Sequence, residues 1–257
     1  MRRMSNRPWR SLVVLLAALP ILLCGPLPAM AASVDVALAL GPPRVTESER
    51  EVQITQSGPN VDIEATYPRL SGAGAEAANQ TVGARVEALI EEFRGEYRSF
   101  IANSGGAHLG APWTLQIGYE PPYATPDLWS LGLTLYHYTG GAHGGQERIA
   151  LVLERPSGRE LTPADLFRDG SDWLQVLSDY CYQALQANEA LEPSDEWLRS
   201  GTAPQPENYR VILPRATGLE VHFGQYQVGP YAIGSFDVTV PYDKLAGVLN
   251  PALFPES

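Results

Sequence analysis

The sequence predicts an α+β fold, with antiparallel sheets and helices packed on one face, behind a cleavable leader. Three observations carry this. Strand-length runs alternate apolar and polar residues, as in LWSLGLTLYHY, where Trp129, Leu131, Leu133, Leu135 and His137 share one face. Strands with a single apolar face belong to antiparallel sheets covered on one side. Two longer stretches repeat apolar residues at three and four, the helical period. Turn-forming glycines and prolines separate these runs, and no internal repeat is present.

The first 31 residues read as a secretory signal. MRRMSNRPWR carries four arginines and no acid, Ser11–Leu23 is apolar, and Ala29-Met30-Ala31 offers small residues for cleavage. The apolar run is 13 residues long, against the roughly 20 that a spanning helix needs. The mature chain is therefore expected to have no stable membrane span and to be periplasmic or secreted. Lipid anchoring at Cys24 is the weaker alternative, because Leu23 stands where that processing wants a small residue.

Residues 32–50 show no period and read as a flexible linker. EVQITQS and VDIEATYP follow as a hairpin, with Val61, Ile63, Ala65 and Tyr67 alternating. A helix is predicted from about Glu76 to Asn103 on the stripe Val82, Val86, Leu89, Phe93, Tyr97 and Phe100. WTLQIGYE resumes the alternation. PPYATPD reads as a joint between a smaller domain, 51–120, and a larger one, 121–257. In the second, the LWSLGLTLYHY strand returns as ERIALVLE. Thr162 is a candidate N-cap before Pro163, with Asp165 near the positive helix end. Helices are expected at Asp172–Asn188, near Asp195–Arg199 and at Tyr242–Leu249. Leu219, Val221 and Phe223 mark one strand face, and Phe236, Val238 and Val240 another.

Composition narrows the function. The full chain has 29 acidic and 18 basic residues and a formal charge of −11. The leader holds only bases, so the mature body is more acidic still. Such a surface repels nucleic acid and suits cationic partners. Only Cys181 remains after the leader, so no internal disulfide can form. It lies on an apolar helix stripe and reads as a core residue rather than a reactive thiol.

Two stretches stand out as binding candidates. YHYTGGAHGG, Tyr136–Gly145, joins two strands; its glycines have a sufficient reason in the turn, but an imidazole does not. His143, with Tyr136 and Tyr138, is a candidate binding surface, and a purely conformational turn is the alternative. FGQYQVGPYAIG places Tyr226 and Tyr231 between two strands, as exposed contacts for a sugar or protein or as half-buried packing. His137 lies on the apolar face and reads as a core imidazole. HExxH, Cys/His metal spacing and the GxSxG elbow are missing, so no metal, cofactor or catalytic residue is expected. Carboxylates are too many for spacing to single out a glycosidase pair.

YHYTGGAHGG, GRELTPADLF, GLEVHFGQYQVGPYAIG and VPYDKL, in that order, resemble a domain-of-unknown-function family of bacterial envelope proteins. Relatives form the outer part of lysozyme-sensing anti-sigma factors and accessory parts of some peptidoglycan deacetylases. The resemblance spans about Trp129 to Leu249. Val52 to Tyr119 is more loosely similar to the smaller domain that often precedes it. The resemblance implies an extracytoplasmic α+β protein. Only ten residues precede the apolar run, which argues against an anti-sigma role. The expectation is a non-enzymatic envelope module binding a cationic, lysozyme-like protein or a cell-wall glycan. An envelope hydrolase acting on peptidoglycan through an unrecognised carboxylate site is the alternative, and a structural partner in an envelope complex a third.

Overall fold

The computed structural model describes residues 40–104, 110–189, 191 and 196–255. The predicted leader, Cys24, His108 and the first part of the linker lie outside them.

The α+β expectation holds. β1 (Arg44–Glu47), β2 (Glu51–Ser57) and β3 (Val61–Pro68) run antiparallel. β1 falls within the stretch read as linker. All four of its residues are exposed, so backbone pairing forms it and no apolar alternation announces it.

The chain then enters α1 (Ala75–Asn103), which buries Ala78, Val82, Val86, Leu89, Ile90, Phe93, Tyr97 and Ile101. Phe100, assigned to this stripe, stands at its margin against Trp113 at 5.2 Å. β4 (Trp113–Tyr119) returns parallel to β3, pairing Val61 with Trp113 and Ala65 with Ile117. The sheet is therefore mixed, which the purely antiparallel expectation missed. A parallel pair needs a long crossover, and α1 is that crossover.

Two residues at β5 (Tyr123–Ala124) lead into β6 (Leu128–Tyr138), which pairs with both β4 and β7 (Gly145–Glu154); β8 (Glu160–Leu161) closes the edge. The order is β1-β2-β3-β4-β6-β7-β8, with β5 beside β6. The proline-rich stretch read as a joint thus sits between two strands, β4 and β6, that pair directly.

Beyond a 3-10 turn at Pro163–Leu166 come α2 (Trp173–Gln186) and α3 (Glu196–Gly201). Thr162 caps the turn as its sequence suggests, its N–H donating to the Asp165 carboxylate at 2.7 Å. A second sheet orders β11 (Phe236–Pro241), β10 (Gly218–Phe223) and β9 (Ile212–Pro214), all antiparallel, before α4 (Tyr242–Leu245). The final helix is one turn, shorter than expected.

Two apolar cores result. One lies between α1 and one sheet face, with Ala65, Phe93, Leu115, Leu131, Leu133 and Leu151. The other holds Leu166, Leu177, Cys181, Tyr209, Val221 and Phe223. β6 and β7 feed both, because alternate residues point to opposite faces: Trp129 and Leu153 enter the first, Leu128 and Val152 the second. Cys181 is fully buried, and burial pushes its thiol up to about 12, as a core cysteine requires.

Candidate functional site

The face of the large sheet turned away from α1 is polar where the second core does not cover it. There the sheet, β10, β11 and the Tyr226–Tyr231 loop enclose an open groove. One part, about 620 Å³, includes Glu64, Gln116, Thr134, Tyr136, Arg148 and His222 in its walls. The adjoining part, about 570 Å³, includes His143, Arg210, His222, Gln225, Tyr226 and Tyr231. Gln146, Glu147, Arg148, His222 and Gln225 line both.

The hairpin geometry explains its glycines in two ways. Gly140 and Gly141 have φ of 92° and 122°, the left-handed region that side chains disfavour. Gly144 answers a different need: a Cβ there would lie 2.5 Å from the Tyr136 ring. The turn thus packs against its own tyrosine and carries His143 to the tip.

His143 stacks on Tyr231, ring centroids 4.5 Å apart and planes 26° from parallel. Tyr231 in turn meets Tyr226 at 5.5 Å. Three of the five candidate residues therefore converge at one end of the groove, although 83 residues separate His143 from Tyr226 in sequence. Tyr136 lines the neighbouring part. Tyr138 does not join them; its hydroxyl donates to the Gly141 carbonyl at 3.1 Å and ties the turn. Tyr226 is 55% exposed with φ of 67°, an uncommon conformation for a bulky residue and one that marks functional loops. His137, read as a core imidazole, is a third exposed, with Glu147 at 3.8 Å.

Sequence reading missed the charged cluster in the groove wall. Arg148 is 92% buried and donates to Glu120 at 2.5 Å, to Asp237 at 2.8 Å and to Glu220. Arg215 also reaches Glu120 and Glu220. His222 Nδ1 meets Asp237 Oδ1 at 2.7 Å. The alternation that buries Val221 and Phe223 sends Glu220 and His222 to the opposite face, and this was the available signal.

Burial pushes the Asp237 carboxyl up, but the His222 hydrogen bond and the charges of His222, Arg148 and Arg215 outweigh it and hold the group below its ordinary value. A depressed folded-state value stabilises the fold above the unfolded value, about 3.9, and the contribution is lost as pH falls through the folded value. The unfolding temperature should therefore drop below about pH 4, and more steeply for the native chain than for Asp237→Asn. Parallel acid profiles for the two, followed by circular dichroism, would contradict this.

Among the described residues, no group of three His, Cys, Asp or Glu side chains is placed to hold a metal ion. No described helix is long and apolar enough to cross a membrane.

Residues 164–243 match the family described as Protein of unknown function (DUF3298). That match covers less than a third of the chain. Residues 54–146 match the family described as Deacetylase PdaC, so the Tyr136–Gly145 hairpin belongs to that match and the Tyr226–Tyr231 loop to DUF3298. The resemblance read from the motifs is borne out, with the hairpin moved to the preceding segment.

A curated relative, the peptidoglycan-N-acetylmuramic acid deacetylase PdaC of Bacillus subtilis (strain 168), is 26% identical over 136 residues, 53% of this chain and 29% of that protein. The alignment thus spans less than a third of the relative's length. Among solved structures, a DUF3298 family member from Bacteroides fragilis NCTC 9343 superposes with a TM-score of 0.54 at 19% identity, covering 83% of this chain and 97% of that one. A second, from Pseudomonas aeruginosa PAO1, gives 0.53 at 18% identity over 84% and 97%. These two structures share the fold described above.

Proposed function

We propose that the protein is a non-enzymatic, exported module of the cell envelope that binds a glycan in the groove between its two sheets. The observation that carries this is the convergence of His143, Tyr226 and Tyr231 on one open groove. Ring faces give a large, stiff apolar contact, and polar side chains beside them orient a ligand. The relative's printed substrate, peptidoglycan, supplies the class of glycan to try first.

The test is calorimetric titration of the purified chain with soluble, uncrosslinked peptidoglycan strands. Saturable heat with intact glycan on recovery supports a binding module. Glycan cleavage or deacetylation that survives repurification would replace it with an envelope hydrolase. No binding would reject both.

A second reading rests on charge. Glu64, Glu147 and Glu207 line the same groove, and carboxylates there suit a cationic protein of the lysozyme class. Retention on immobilised lysozyme at moderate salt, without glycan binding, would favour it.

A further inference from the structure

The groove continues across the sheet, and the strand register aligns its floor. Thr55 pairs with Glu64, Glu64 with Gln116, Gln116 with Tyr136, and Tyr136 with Gln146. These five residues form one straight row across β2, β3, β4, β6 and β7. They occupy the polar face, because their neighbours Ile63, Leu115 and Leu135 point into the first core. Thr55, Glu64, Gln116 and Gln146 are exposed, and Tyr136 is half-buried. Among the described residues, none of the five side chains has a hydrogen-bond partner. Four inter-strand steps of about 4.8 Å make the row roughly 19 Å long.

The space above the row is continuous. A depression of about 210 Å³ has Thr55, Glu64 and Gln116 in its lining. Glu64 and Gln116 also line the 620 Å³ part, which leads past Gln146 and His222 to the aromatic end. Gly118 keeps the floor low beside the row, since a Cβ there would lie 2.9 Å from Thr134 Oγ1.

We propose that the groove holds an extended, uncharged oligosaccharide running across the strands. One ring lies against Tyr226 and Tyr231, and successive rings lie over Gln146, Tyr136, Gln116 and Glu64. This rests on the glycan reading above and adds length, direction and charge to it. Amide side chains both donate and accept, which matches hydroxyl and acetamido groups. The guanidinium facing the row, Arg148, is already held by Glu120, Glu220 and Asp237. Among the described residues that line the groove over the sheet no other Lys or Arg is present to receive an acidic sugar, and Arg210 lines only the aromatic end. A peptide laid across the strands would gain no strand pairing, since its backbone would run at right angles to the ladder.

The experiment is a length series of β-1,4-linked N-acetylglucosamine oligomers, one to six units, titrated calorimetrically against the purified chain. Affinity should rise roughly ten-fold from the disaccharide to the pentasaccharide, about 1.4 kcal/mol, and then level off. Gln116→Ala should erase that rise and leave disaccharide affinity within about two-fold. Tyr231→Ala should weaken every length. Binding that does not depend on length, or a Gln116→Ala series identical to the native one, would overturn the row while leaving glycan binding intact. No binding at any length, with peptidoglycan strands also inert, would overturn both.

Discussion

Arg148→Met should lower the unfolding free energy by about 3 kcal/mol, the order seen when one partner of a buried ion pair is removed. In a chain of this size that is roughly 10 °C in Tm. The cause is specific. Arg148 is 92% buried and, among the described residues, is the one side chain that touches Glu120, Glu220 and Asp237 together. Without it, the three carboxylates keep only Arg215 and His222 as ion-pair partners among the described residues. Neutralising the stranded groups should restore stability, because a buried ionic cluster replaced as a whole costs little. Arg148→Met combined with Glu120→Gln and Glu220→Gln is thus expected to melt above the single variant. A single variant within 2 °C of native, or a triple variant lower still, would remove this account of the junction.

Tyr231→Ala should weaken glycan binding ten- to hundred-fold, about 1.4 to 2.7 kcal/mol. Tyr231 is the middle ring, stacked on His143 and touching Tyr226, so truncation removes its own face and the support of both neighbours. Tyr231→Phe keeps the face and should stay within about three-fold of native. Tyr226→Gly separates binding from folding. The left-handed backbone at Tyr226 costs roughly 1 kcal/mol that glycine relieves. That variant should be as stable as native or more so while binding less tightly. Unchanged affinity in Tyr231→Ala would leave the aromatic end without a role.

Local periodicity made much of this fold legible. The Val82–Tyr97 stripe and the alternation in β3, β4, β6 and β10 each depend on neighbours a few residues apart, and their buried faces were read correctly. The parallel pairing of β3 with β4 was harder, because it joins residues 52 apart in sequence (Val61 and Trp113) and nothing in either strand names its partner. A long helix between two single-faced strands is the signal such a pairing leaves in the sequence. The candidate site divided in the same way. Tyrosines and a histidine in glycine-rich turns were conspicuous, and four of the five candidates line the groove. The cluster of Glu120, Arg148, Arg215, Glu220, His222 and Asp237 was not seen, since each looks like an ordinary solvated charge on a strand. Only the meeting of two sheets brings them together.

β6 contributes Trp129, Leu131 and Leu133 to one interior and Leu128 to the other. Dissecting the protein at the proline-rich stretch before it would therefore leave both fragments with raw, adhesive edges prone to clumping. A scission near Ser157, in the turn after β7, respects the packing better and falls between the stretches matched by the two families. Even there, Leu128 and Val152 would be stripped of their cover. Transplanting either half into another protein would call for a new lid over that small apolar patch.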